Sequence, residues 1–448
     1  MANTPGVSPP EAASLQLASS LRKATWRLIP FMFLLYVVAY LDRVNISFAQ
    51  LQMKQALAMS DAVYGLGAGL FFIGYFLLEV PSNLLLERFG PRRWMARIMI
   101  SWGFISSAMM FTQGATSFYL LRFALGVAEA GFFPGMILYL TYWFPQRERS
   151  TAVARFMTAI ALSQVIGGPL SGAILQGLNG VNGWQGWQWL FFLEGLPSVV
   201  LGFVVFWMLP DRPNNVRWLS ESEKSALLAA INAPGTGSAH QDRHTLLEAL
   251  ADGRVWLLSI IYFIFAMGLY GLGLWLPQIL KDVSGGSELQ VGWLIAIPYA
   301  LACVCMVLWG QYTDRCGHLR RNLTLTTALA GFALLGAAAL LGAGPTVTVV
   351  VVSLGVMALY SSFGPFWAVP ASFLRGTAAA GGIAVINSFG NLGGFVSPWM
   401  VGLVKKQTGS FTGGIAVIAV ALLVSAALIW FGTREKQSQQ QTATAATR

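Results

Sequence analysis

Asp42 and Arg43 stand side by side at the end of the apolar run 28–41, and Arg122 and Glu129 lie inside a later one, 118–144. A charge at the centre of a bilayer costs about 3 kcal/mol even on lenient insertion scales, so it is seldom there without a task. A guanidinium binds a carboxylate through two parallel N–H···O bonds, and a carboxylate can carry a proton. Two arginines and two acids in an otherwise apolar chain therefore describe a buried site for an anion that also takes up a proton. Tyr36, Tyr40 and Arg43 recur at i, i+4 and i+7 and share one helix face. Lipid would not solvate the guanidinium, so that stripe faces the bundle interior. The competing reading is an Asp42–Arg43 ion pair that only fixes the first helix; Asp42 itself points off the stripe. Arg122 and Glu129, seven residues apart, again share a face, with Arg122 about five residues (roughly 7–8 Å) inside its helix and Glu129 near the midplane. An anion competing for the arginine would free Glu129 to pick up a proton, so anion and proton would travel together. The alternative is a permanent salt bridge.

The elements that position these residues follow from composition. The chain has 448 residues, 56% hydrophobic and only 10% charged, where a soluble domain carries about 25% charge; the mean hydropathy is +0.62. Crossing the hydrocarbon takes about 20 apolar residues per helix. Twelve such runs can be marked, at 28–47, 62–84, 95–112, 117–143, 151–175, 189–209, 255–279, 291–311, 323–343, 346–372, 379–403 and 411–431. They lack the polar/apolar alternation of barrel strands. The expected fold is thus an all-α integral membrane protein of twelve transmembrane helices in two six-helix halves.

The net charge of +10 raises the question of a nucleic-acid partner, and the placement of the charges answers it. If odd-numbered helices leave the cytoplasm, 22 of the 28 Lys and Arg fall on the cytoplasmic side, in clusters such as Arg88-Arg92-Arg93-Arg97 and Arg315-Arg320-Arg321. This is the positive-inside asymmetry. It places both termini in the cytoplasm, and the basic character reports topology rather than a nucleic-acid partner. Residues 1–20 have neither the basic start nor the apolar core of a cleavable signal peptide. Cys303, Cys305 and Cys316 form no metal or disulfide pattern.

The longest hydrophilic break, 210–253, separates the halves 26–209 and 254–432 and is expected to be a cytoplasmic central loop. Within it Ser220-Glu221-Ser222-Glu223 forms a capping box that predicts a short helix, followed by the flexible stretch 233–238. Residues 1–25 are expected to be a disordered cytoplasmic amino terminus and 433–448 a cytoplasmic tail. The halves also repeat. Glu87-Arg88-Phe89-Gly90-Pro91-Arg92-Arg93 follows the second helix, and Asp314-Arg315-Cys316-Gly317-His318-Leu319-Arg320-Arg321 follows the eighth, with acid, Arg and Gly in register. Repeats of equal topology are related by an axis along the membrane normal.

In these loops the chain resembles the major facilitator superfamily, although the first copy has Asn83 where the usual Gly stands and Glu87 in place of Asp; the second has Gly310 and Asp314 as that pattern asks. The resemblance covers about 25–432. Asp42-Arg43-Val44-Asn45, Gly74-Tyr75-Phe76 running into Glu79-Val80-Pro81-Ser82-Asn83, and Arg122-Phe123 through Glu129-Ala130-Gly131-Phe132-Phe133-Pro134-Gly135 are similar to the anion:cation symporter family, in wording closest to bacterial tartrate and phthalate-type permeases. That family carries hexuronates, aldonates, tartrate, phthalate and other aromatic acids. The resemblance implies substrate capture by Arg43, a protonatable role for Asp42 beside Glu129, a pocket position for Gln164, and a location in a bacterial inner membrane.

Further pocket candidates are Tyr75 on the second helix, Trp367 and Ser372 on the tenth, and Asn387 and Asn391 one turn apart on the eleventh. Gly364-Pro365 should break the tenth helix where it lines a cavity, and 268–275 reads as a hinge in the seventh. Glu79 fits an inner-gate network better than the pocket, and Glu194 has no assigned role. Salt bridges among Glu87, Arg88, Asp314 and Arg315 are expected to lock the cytoplasmic side in one state.

No nucleophile–base pair, metal ligand set or phosphate loop is legible, and His240, His244 and His318 all fall in loops, so an enzyme is not expected. The reading is a proton-coupled symporter for a small organic carboxylate, a monomer whose partners are its substrate and the bilayer, with no cofactor beyond the coupling proton. An anion exchanger without proton coupling is the alternative.

Overall fold

In the computed structural model, residues 9–231, 251–373 and 376–432 are described, their side chains excepted at 9–12, 371–381 and part of 146–161. Fifteen helices form among them: α1 Pro9–Ala56, α2 Asp61–Phe89, α3 Pro91–Ala108, α4 Ala115–Glu129, α5 Phe132–Thr141, α6 Gln146–Gly177, α7 Gly186–Met208, α8 Glu221–Ile231, α9 Gly253–Ser284, α10 Glu288–Cys316, α11 Leu319–Leu340, α12 Pro345–Phe373, α13 Gly376–Asn391, α14 Gly393–Thr408 and α15 Thr412–Gly432. Ten spans, with α4–α5 counted as one, are long and apolar enough to cross a membrane; α3 and the α13–α14 pair bring them to the expected twelve.

Local chemistry sets the ends. Ser60 accepts from the Val63 N–H at the start of α2, and Ser287 with Gln290 closes a capping box on α10, which satisfies helix-start donors. Gly90 and Gly317 take φ of +85° and +66°. Each ends a helix in a conformation that L side chains rarely adopt, so the repeated Gly of the two loops does the same work in both halves.

Two spans are interrupted where the sequence reads as continuous. Ala130 and Gly131 (φ +85°) separate α4, which ends at Glu129, from α5, and Leu392 separates α13 from α14. The break expected at Gly364-Pro365 is not there: α12 runs through Pro365 and Pro370 as one helix. A proline costs a membrane helix one ladder bond, which neighbouring groups can make good. The hinge expected at 268–275 likewise lies inside continuous α9.

Residues 9–25, expected to be disordered, begin α1 and dock on α8. Lys23 Nζ donates to both oxygens of Glu223 at 2.7 and 2.8 Å, and Ser19 donates at 2.7 Å. The capping box forms as read, Ser220 N–H to Glu223 Oε2 at 2.9 Å and Glu223 N–H to Ser220 Oγ at 3.3 Å. The bonds from Lys23, the Ser220 N–H and Ser19 hold the Glu223 carboxyl down at about 2. Residues 1–8, the stretch 233–238, expected to be flexible, and the tail 433–448 lie outside the described residues.

The halves meet along α6–α10, α2–α14 and α1–α9. Small residues allow this: Gly168 backs onto the Gly292 carbonyl, and a methyl at Gly69 would stand 2.7 Å from Phe395 O. These approaches lie toward the face opposite the termini, where Gln50 Nε2 donates to Leu274 O across the halves at 2.7 Å and the Tyr64 hydroxyl donates to the same carbonyl at 3.3 Å. That end is closed.

Candidate functional site

Arg43, in the last third of α1, points between the halves. Its Nε donates to Glu129 Oε1 at 3.0 Å and its Nη2 to the same oxygen. Its Nη1 reaches the Tyr270 hydroxyl on α9 at 3.4 Å. The guanidinium also lies over the rings of Phe71 and Tyr75, at 5.5 and 5.4 Å, where the aromatic faces attract a cation. Arg43 and Glu129 are both buried. In such a pair mutual attraction offsets a desolvation cost of several kcal/mol per ion.

Arg122 is the other cation, and its partners differ from expectation. It is 1% exposed. Its Nη2 donates to Ala68 O at 3.2 Å, its guanidinium lies 5.0 Å from the Phe71 ring centre, and Nε and Nη1 have no hydrogen-bond partner. The reading that paired it with Glu129 is corrected. Seven helical residues span about 10.5 Å, so the two share a face without touching, and Arg43 arrives from α1 at the level of Glu129.

Tyr40, Arg43, Phe72, Arg122, Gln164 and Tyr270 line a cavity of about 10 Å³ between the halves, room for about one water. The site is therefore closed down around its own charges, with Glu129 on Arg43. What the arrangement can do is bind an anion: Arg122 has two N–H directions to offer, and Arg43 can exchange one carboxylate for another.

Asp42 faces the other way. It is held inside the N-terminal half by four donors: Trp102 Nε1 at 2.6 Å, Asn45 Nδ2 at 3.1 Å, Ser198 Oγ at 3.4 Å and Ser106 Oγ. The structural alternative of an Asp42–Arg43 pair is not seen, since Arg43 turns to Glu129. One turn before Ser198 on α7, the buried Glu194 accepts from Ser171 at 2.8 Å.

The remaining expected residues divide. Tyr75 stacks its face under Arg43. Tyr36 lies outside the cavity lining, stacked on Phe156 and Phe133 at 4.6 and 5.5 Å. Trp367 packs edge-on to Tyr262 at 4.9 Å and also lies off the lining. Asn387 gives its amide to Glu79 at 2.9 Å rather than to the cavity. Asn391 is the last residue of α13, at the break, and the side chain of Ser372 lies outside the described residues.

The expected salt bridges among Glu87, Arg88, Asp314 and Arg315 are corrected: all four are exposed, and none of the ion pairs among the described residues joins them. Asp211 of the central segment holds the first loop instead, accepting from the Arg92 N–H at 2.9 Å, where a helix start favours an anion. In the second loop Asn322 donates to Thr313 Oγ1 at 3.3 Å.

Sequence reasoning missed Tyr270, Phe72 and Ser388. Tyr270, a hydroxyl within Gly268-Leu269-Tyr270-Gly271, offered a signal: a polar ring in a glycine-rich segment of an apolar helix.

Comparison with known proteins agrees with this architecture. The profile of the Major Facilitator Superfamily matches residues 32–398. A "Putative tartrate transporter" of Agrobacterium vitis is 49% identical over 432 residues, 96% of this chain and 94% of that protein. A quinolone resistance transporter of Acinetobacter baumannii is 43% identical over 427 residues, 94% and 96% of the two chains. The crystal structure of a bacterial homolog of the human lysosomal transporter Spinster, in an inward-facing and occupied conformation, superposes with a TM-score of 0.75 at 16% identity, covering 91% of this chain and 96% of that one. Twelve spans, a repeated loop and a family match over most of the length lead to one conclusion: the chain belongs to the major facilitator superfamily and is a multi-pass membrane transporter, not an enzyme.

Proposed function

We propose that the protein is a proton-coupled symporter that imports a small organic carboxylate across a bacterial inner membrane, as a monomer with both termini in the cytoplasm. The observation that carries this is Arg122: a fully buried guanidinium with two nitrogens that meet no protein acceptor, beside an Arg43 paired with Glu129. A substrate carboxylate entering between them gives Arg122 a partner and competes with Glu129 for Arg43. Glu129, displaced, takes a proton, and the neutral acid no longer holds Arg43. Loaded with a monocarboxylate and one proton, the site carries no added net charge, whereas a dianion such as tartrate needs a second proton for the same balance; the two halves rock about the loaded site. The unloaded protein returns with Glu129 back on Arg43. The tartrate named for the Agrobacterium relative fits a site with two guanidinia, while Tyr40, Phe72, Tyr75 and Tyr270 give an aromatic acid a surface to stack on.

The test is uptake into proteoliposomes of tartrate, galactonate, glucuronate, phthalate, 4-hydroxyphenylacetate and a quinolone, with and without an acid-outside pH gradient. Stimulated uptake of one class supports symport and names the substrate. One observation favours a second reading: Asp42 has four donors and stands away from the cavity, as a permanent structural anion would. Uptake only against preloaded anion would mean exchange without proton coupling.

A further inference from the structure

Glu79 is the one acid of α2 buried in the seam between the halves; it is 4% exposed. Asn387 Nδ2 donates to its Oε1 at 2.9 Å and Ser388 Oγ to its Oε2 at 3.0 Å. Both donors sit on α13, in the opposite half of the molecule. The seam they belong to can be followed along α2. At Gly65 and Gly69 it abuts α14, with no room for a side chain against Pro398 and Phe395, and Phe72 fills the space in front of Gly394. There the contact is close, apolar and glycine-set.

Beyond the break at Leu392 its character changes. α13 packs on α9 of its own half, and its polar tie to α2 is Glu79. Along α2, Glu79 is one turn past Tyr75, which lies under Arg43, so the tie lies between the anion site and the face that carries the termini. The far face is closed separately by Gln50, Tyr64 and Leu274.

We infer that Glu79 is a latch: it holds the half-helix α13 against α2, it closes the anion site toward the terminal face, and its two hydrogen bonds must break for the site to open there. Four features specify this. The bonds join different halves. They lie on the terminal side of the site. They grip a segment detached from the rest of its span by a helix break. Both donors are neutral, so releasing them strands no buried cation. Asn387 and Ser388 are positioning residues in this account, and so is Glu79. The inference depends on the transporter fold and not on which substrate is carried.

Two measurements on the full-length protein in nanodiscs test it without a substrate. The first is a distance between spin labels at Arg93→Cys and the natural Cys316, on the terminal face of the two halves, with Cys303 and Cys305 replaced by Ser. Glu79→Ala should add a longer-distance population; an unchanged distribution overturns the inference. The second is hydrogen exchange. Glu79→Ala and the double variant Asn387→Ala/Ser388→Ala should each speed exchange in 376–391 several-fold and leave 393–408 unchanged. The triple variant should exchange no faster than either, because all three residues form one unit. A rise in both segments alike would mean general loosening, and additive effects would mean no shared latch; either result overturns the inference.

Discussion

Glu129 pairs with Arg43 of the first span and not with Arg122, which lies seven residues before it on its own helix. The pairing leaves one guanidinium matched to a carboxylate and the other with two nitrogens that meet no acceptor, at a cavity hardly larger than a water. The asymmetry separates what each arginine does for stability from what it does for transport.

Replacing Arg43 by Ala strands the Glu129 carboxylate in the bundle, and removing one partner of a buried pair costs about 3–5 kcal/mol. Arg43→Ala should therefore lower the melting temperature in detergent as well as abolish uptake. Arg122→Met should abolish uptake while leaving the melting temperature unchanged or higher, since the native guanidinium already lacks partners for two of its nitrogens. A large loss of stability in Arg122→Met would mean that unseen partners satisfy it.

Glu129→Gln keeps the shape of the pair and removes the proton site. Accumulation driven by a proton gradient should disappear while exchange of internal for external substrate continues. Gradient-driven accumulation that survived in this variant would remove Glu129 from the coupling step.

Gly69 tests the seam directly. A Cβ there meets the Phe395 carbonyl oxygen at 2.7 Å, and forced overpacking costs about 1–3 kcal/mol. Gly69→Val should wedge α2 from α14 and slow transport at least tenfold, with labelling of residues near Leu274 from the far face increased. Wild-type rates would show that the close approach is dispensable.

Glu223 governs the docking of α8 on α1. Its carboxyl is held at about 2, below the usual 4.5, first by the bonds from Lys23. The sign follows: the stabilisation is complete above about pH 4.5 and is lost as pH falls through about 2. Hydrogen exchange in 221–231, corrected for intrinsic rate, should be flat from pH 7 to 5 and rise below 4 in the native chain. In Glu223→Gln it should be fast throughout.

Much of this architecture was legible in the chain because the bilayer imposes it. Span number, the two halves and the glycine that ends a helix in each repeated loop follow from hydropathy and a repeated motif, and the capping box at Ser220 and Glu223 from local chemistry. The breaks were not legible. Pro365 looked like an interruption and is absorbed into a helix, whereas Gly131 and Leu392 interrupt spans that read as continuous, because neighbouring helices decide whether a weak point in the ladder opens.

The same division holds at the site. By itself the sequence determined that Arg43, Arg122, Asp42 and Glu129 must be buried in a membrane bundle, since their charge is too costly to face lipid and their helices are too apolar to lie elsewhere. Only the tertiary structure decided who meets whom. Glu129 went to Arg43, Asp42 turned to Trp102 and Ser106, and Asn387 was given to Glu79. Helical periodicity states which residues share a face, but contact between helices depends on their axial offset and close approach, and those are set by packing across the whole bundle.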